Sequence, residues 1–373
     1  MATVTFTAPM PDPFRKADGS LMSNEEWFAQ RNDLLDFIVG HEYGGMPPKP
    51  EVVRIQKINM GGWGTTPVWY KVTAGSAQRQ LTFLLALHLP AVSEEILASG
   101  KKFPVLLTGD MCYTNLESDT IAEAHRRGYI VACFNRLELA IDCKTPREGG
   151  LYDVYPDHKS FTAISAWAWG YMACMDVFMQ LPYVDETEVG ITGHSRGGKT
   201  VMLAAAVDTR IRYCCPNNSG CHGAVSYRTV VTQQGEDAIN SERLSVMLDA
   251  FPHWMGEKLT PYRDREHELP YDMHYFGALI APRYYLQCEG QQDYWINPMG
   301  SWQNLMAVKA CFKRLGCEDH AAGWFRPGYH RHKLPDFIQF MDFMDRARAG
   351  LPLSEHLKIN PYPEMEKNFS WGE

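Results

Sequence analysis

Residues 188–200 read EVGITGHSRGGKT. A short apolar run, Val189 to Thr192, enters Gly193-His194-Ser195-Arg196-Gly197 and continues into residues that favour a helix. A G-x-S-x-G between a strand and a helix is the pattern of a nucleophile elbow. The serine sits on a strained turn, and the glycines let the two chains approach. The backbone N–H after the serine, that of Arg196, then faces a developing oxyanion, and the helix N-terminus adds positive potential there. The same residues also fit the phosphate-binding pattern G-x-x-x-x-G-K-T, with Lys199 on phosphate and Thr200 on magnesium. That reading needs another apolar strand ending in Asp for the metal. Residues 211–215 run instead into Pro216-Asn217-Asn218, and 284–288 into Glu289-Gly290. The serine reading is preferred; a structural turn without chemistry is the plain alternative.

Outward from this stretch, strands and helices alternate. Expected strands cover 52–58, 67–73, 80–89, 104–108, 129–134, 188–192, 211–215, 282–288 and 322–326. Expected helices cover 24–39, 120–127, 161–181, 199–207, 301–315 and 333–348. Such alternation argues for a mainly parallel sheet covered on both faces, made mixed by the leading antiparallel strands. The rhythm breaks over 220–275, which is polar and aromatic with little strand character. It reads as a lid-like insertion over the active site. Residues 1–50 read as a helical extension of a single 1–373 domain. The expectation is an α/β-hydrolase fold.

Composition narrows the function. Apolar residues make up 45% and charged residues 21%, ordinary globular usage that excludes a disordered or collagen-like chain. The 36 basic and 44 acidic residues leave a net charge of −8 with no basic block, so no nucleic-acid surface is expected. The longest uncharged apolar stretch, 160–175, falls short of a membrane span and reads as a buried helix. Ten cysteines without a C-x-x-C pair do not form a disulfide scaffold. The first residues carry Pro9, Pro11 and Pro13 rather than a basic and then apolar leader, so a cytoplasmic location is expected.

In α/β-hydrolases the triad follows the chain order Ser, acid, His. The loop after 282–288 offers Glu289 and Asp293; Asp293 is preferred because Glu289 falls at the strand end. A loop Asp can fix the imidazole tautomer, although a solvated turn Asp would read the same. Residues 323–332 offer His330, just after a Gly-Tyr turn, and His332, nearer the closing helix. His320 lies too early. Zinc ligation by His320, His330 and His332 fits no familiar spacing, and no metal or other cofactor is expected. Arg196 and Lys199 place two cations beside the serine, which suits a polar or anionic acyl group rather than a fatty chain. The plain alternative is that Lys199 binds backbone carbonyls or a nearby acid. Trp295, Trp254, Tyr262, Tyr271 and Tyr275 are candidate sugar-stacking rings, or simply the core of the insertion.

These residues resemble carbohydrate esterase family 15, the glucuronoyl esterases, and in particular their bacterial branch. The likeness rests on EYGGMP (42–47), AWAWG (166–170), GHSRGGK (193–199), NNSGC (217–221), FPHW (251–254), APR (281–283), DYWINP (293–298) and GYH (328–330). It implies an α/β-hydrolase that cleaves esters of glucuronic acid. Ser195 would be the nucleophile, Arg196 the helper of the oxyanion hole, and Lys199 the donor to sugar hydroxyls. Trp295 would line the sugar site and His330 would be the base. Many members carry a catalytic Glu where this chain has Asn218, so the acid falls to Asp293.

The expected function is therefore a serine carbohydrate esterase acting on a small-molecule or oligosaccharide uronate ester, with no nucleic-acid or membrane partner. An esterase for acetylated sugars is the near alternative. A carbohydrate-binding homologue without turnover and a nucleotide hydrolase are the distant ones.

Overall fold

The apolar runs of the sequence become the centre of one large sheet. The computed structural model describes residues 2–58, 67–90, 99–112, 116–144, 147–233 and 239–372. Its strands are β1 (Ala2–Phe6), β2 (Val52–Ile58), β3 (Val68–Gly75), β4 (Gln80–His88), β5 (Phe103–Thr108) and β6 (Ile130–Phe134). They continue with β7 (Val184–His194), β8 (Tyr213–Asn217), β9 (Thr229–Gln233), β10 (Ile239–Asn240), β11 (Tyr284–Gly290) and β12 (Ala321–Arg326). Nine strands form a sheet in the order β12-β11-β8-β7-β5-β6-β4-β3-β2. From β12 to β6 every pairing is parallel; β4, β3 and β2 add antiparallel.

Every residue of β5 and β6 is buried, as a sheet covered on both faces requires. Successive side chains go to opposite layers. Val105, Leu107, Ile130 and Ala132 join one apolar cluster with the Ala163–Phe178 and Arg196–Val207 helices. Leu106, Val131 and Cys133 join the other, with the Leu334–Arg348 helix. The 160–175 stretch indeed lies inside: Trp167 and Trp169 of the Ala163–Phe178 helix are fully buried. Among the described residues no helix is long and apolar enough to cross a membrane.

The expected strands and helices are present, with ends shifted by a few residues. Two features differ. The first residues carry β1, and the 220–275 segment carries β9 and β10, which join β1 in a separate three-stranded antiparallel sheet. The alternating Ala2-Thr3-Val4-Thr5-Phe6 suits a strand, but its partner lies more than 200 residues away in the register Thr5↔Val230. Local pattern alone does not announce such pairings.

The two chain ends meet near this small sheet. Asn368 donates to Ala8 O, and Trp371 Nε1 donates to Met10 O. His274 lies under the junction, its ring stacked on Trp371 and its Nε2 3.0 Å from Pro11 O. Its buried Nδ1 has no hydrogen-bond partner among the described residues. Burial pushes this imidazole down to about 4. The unfolded chain therefore binds one more proton here between about pH 6.5 and 4. His274 holds its stabilising contribution above pH 6.5 and loses it as pH falls through that window, by about 1.4 kcal/mol per pH unit. Urea unfolding across pH 4.5–7.5 should show His274→Phe with a shallower pH slope than the parent, by about one proton. Parallel slopes would mean that His274 is not held neutral.

Candidate active site

The site gathers at the carboxyl ends of parallel strands, where open α/β sheets place their ligands. β7 ends on His194, and Ser195 caps the following helix with φ 55° and ψ −120°. Its N–H donates to Asn217 O at 2.9 Å, and its carbonyl accepts from Gly198 N and Lys199 N. Gly193 makes this turn possible: a Cβ there would lie 2.5 Å from Gly197 O. Asp110, at the end of β5, accepts from His194 N at 2.7 Å and pairs with the buried Arg136.

Asp293 and His330 come together. His330 Nδ1 lies 2.6 Å from Asp293 Oδ2. The carboxylate accepts, so Nδ1 carries the hydrogen and Nε2 is left as a proton acceptor. Asn218 Nδ2 donates to the same carboxylate oxygen at 2.8 Å. The amide therefore supports the acid. The His330 ring is 38% exposed and lies 4.3 Å from the ring of His194, the residue before the serine. Burial, reinforced by His330, pushes His194 down to about 4, so the two rings do not share like charge at neutral pH. Ser195 Oγ makes no hydrogen bond among the described residues, as is common for such pairs before substrate draws them together.

The other candidates make different contacts. Glu289 is buried and accepts from Ser301 Oγ, and burial pushes its carboxyl well above the usual range. His332 stacks on Phe337, and burial pushes it well below its ordinary value. His320 bonds Pro282 O at the opposite end of the sheet, so the three histidines of the zinc reading do not meet. Lys199 does not point into its glycine turn as a phosphate-binding lysine would. Its ammonium, 2% exposed, donates to Ser219 O, Cys221 O and Glu242 Oε2. The acid-and-carbonyl alternative thus describes its contacts here, and all three of its N–H groups are used.

Glu242 was not apparent from the sequence, because nothing local marks it. Its own N–H donates to Trp295 O at 2.6 Å, which ties the Lys199–Glu242 pair to the backbone of Trp295, a residue that is 44% exposed. Asp142 was missed for the same reason. It accepts from Arg196 Nη1 at 2.6 Å, from His253 Nε2 and from Trp254 Nε1. The Arg196 guanidinium also lies 4.6 Å from the Trp254 ring centre. Trp254, Tyr271 and Tyr275 are buried, so these rings are the insertion's core and carry no open sugar face. Among the described residues no group of three or more potential metal ligands forms.

Residues 72–316 match the family model described as glucuronyl esterase, fungi. A 4-O-methyl-glucuronoyl methylesterase of Wolfiporia cocos is 25% identical over 346 residues, covering 90% of this chain and 80% of its own. A carbohydrate esterase from an unknown prokaryotic organism is 31% identical over 251 residues, covering 62% of this chain and 56% of its own. Among solved structures, a carbohydrate esterase family 15 glucuronoyl esterase from Caldicellulosiruptor kristjansonii superposes with a TM-score of 0.79 at 25% identity. That superposition covers 96% of this chain and 97% of the other. The motifs, the matched model and the shared architecture agree, and the chain belongs to the glucuronyl esterase family, carbohydrate esterase family 15.

Proposed function

We propose that the protein is a serine carbohydrate esterase that hydrolyses esters of glucuronic acid or a similar uronate. The observation that carries this reading is the 2.6 Å contact of His330 Nδ1 with Asp293, with the His330 ring 4.3 Å from that of His194, the residue before a serine on a strained elbow. Ser195 Oγ attacks the ester carbonyl while His330 Nε2 takes its proton. Asp293 holds the tautomer and stabilises the imidazolium. The oxyanion forms at the N-terminus of the Arg196–Val207 helix, near the Arg196 N–H. His330 returns the proton to the leaving alcohol, and water then cleaves the acyl-enzyme by the same route.

The groups around Lys199, one helical turn after the serine, favour a hydroxylated acyl group. Glu242 offers a carboxylate acceptor fixed by Lys199, and Trp295 offers a half-exposed ring face. A fatty chain would leave the remaining acceptor capacity of this carboxylate out of water without a donor. The acid position of the family pattern is filled by Asn218, so the charge opposite His330 comes from Asp293 alone.

A panel of methyl glucuronate, benzyl glucuronate, methyl galacturonate, acetylated xylose and p-nitrophenyl acetate tests the assignment. Glucuronate esters should be turned over fastest; comparable rates on all would undo it, and preference for acetylated xylose would favour the acetyl esterase. Ser195→Ala and His330→Ala should each abolish turnover in a folded protein, and the double variant should lose no more. Asp293→Asn should cost on the order of a thousandfold in kcat. Near-normal rates there would place the histidine's acid elsewhere.

Glu242→Gln keeps the shape and removes the charged acceptor. It should raise KM for methyl glucuronate by about tenfold to a hundredfold. Turnover of p-nitrophenyl acetate, which has no sugar hydroxyls, should hardly change. An equal fall on both substrates would make Glu242 a support of the elbow.

A further inference from the structure

Arg326 is the last residue of β12, and its side chain is 3% exposed. A buried guanidinium offers a rigid fork of donors and demands acceptors for them. Here Nη1 donates to Tyr329 O at 3.2 Å and Nη2 to Arg331 O at 2.5 Å, the carbonyls on either side of His330. Nη2 also reaches Asn218 Oδ1 at 3.3 Å. With Oδ1 facing the cation, the amide must turn Nδ2 toward Asp293, which is the observed contact. A flipped amide would set oxygen against carboxylate and NH2 against guanidinium. Gly290 keeps the acid loop close to this fork: a Cβ there would lie 2.7 Å from Tyr329 O and 3.1 Å from Arg326 Nη1.

The charge is balanced by Asp336, whose Oδ1 accepts from Arg326 Nε at 2.7 Å and from Asn217 Nδ2 at 3.2 Å. Asn217 in turn accepts the Ser195 N–H on its carbonyl and lies 2.8 Å from His194 Nδ1 through Oδ1. One ion pair thus connects the nucleophile's turn, the acid's amide support and the base's backbone. Buried ion pairs contribute little net stability, so geometry is the better explanation of this one.

We infer that Arg326 is a positioning residue for hydrolysis, holding His330 and the Asn218–Asp293 pair in register with Ser195. The inference rests on the esterase reading of Ser195, Asp293 and His330. Lysine can keep the charge opposite Asp336 but cannot span both carbonyls and the amide. Arg326→Lys should therefore lower kcat about a hundredfold, the cost of a displacement near 1 Å. KM for methyl glucuronate should stay within about twofold, because the acyl-side wall is untouched.

The fall should be the same on p-nitrophenyl acetate, and the rate of Ser195 labelling by a fluorophosphonate should drop in parallel. Asn218→Ala should lower kcat in the parent and add little in the Arg326→Lys background. Should the lysine variant not fold, Arg326→Met with Asp336→Asn removes both charges together, avoids an unpaired buried one and keeps an amide oxygen that accepts from Asn217. It should fold and show the same loss. An inactive parent would overturn the esterase reading itself. With an active parent, unchanged kcat per folded molecule in the variants, or a rise in KM alone, would overturn the positioning role.

Discussion

Ser195 is held in a backbone conformation that an L side chain disfavours, with φ 55°, and the rest of the site is built to keep it there. Such a residue costs on the order of 1–3 kcal/mol and persists only where its surroundings over-determine it. Here they do. Its N–H is committed to Asn217, its carbonyl accepts two N–H groups of the next turn, and the absent Cβ of Gly193 leaves room for the Gly197 carbonyl. The nucleophile is thus part of the sheet and helix, while its acid and base arrive on loops.

The loops and the acyl wall are fixed by charge more than by apolar packing. Around the serine, Asp110 pairs with Arg136, Asp142 with Arg196, Glu242 with Lys199 and Asp336 with Arg326. Each pair ties two different elements or loops together. Removing water from both partners nearly cancels their attraction, so such pairs add little to stability, yet a lost partner is costly. A site built this way tolerates small displacements poorly. That suits a reaction whose proton transfers need hydrogen-bond distances throughout.

The large sheet was legible because its strands carry short apolar runs, unbroken in β6, and each crossover is a helix-length segment. The elbow was legible because strain at one serine demands glycines at fixed offsets. Asp293 and His330 followed from chain order, and the structure brings them into contact. What escaped notice had no local pattern. β1 finds its partner across most of the chain, and β10 has two residues. Glu242 and Asp142 are ordinary acids in polar segments, marked only by the cation that folding brings to them. Trp254 and Tyr271 look like sugar-stacking rings in sequence, and only burial assigns them to the core. Lys199 was read both as a donor to sugar hydroxyls and as a partner of backbone carbonyls or an acid, and its helical position turns it toward the 219–221 carbonyls and Glu242.

Asn218 and Asp293 follow the ends of neighbouring parallel strands, β8 and β11, which pair through Asn217↔Cys288; Asn218 donates to Asp293, and Asp293 bonds His330. This chain carries an amide on the first of these ends and the acid on the second. One carboxylate thus stands between two donors, an amide on one side and an imidazole on the other. A second carboxylate in place of the amide would set like charges in contact and push one of them toward the protonated form. With Asn218 there, a single negative charge faces a single imidazole, and the neutral neighbour orients that charge without competing for the proton.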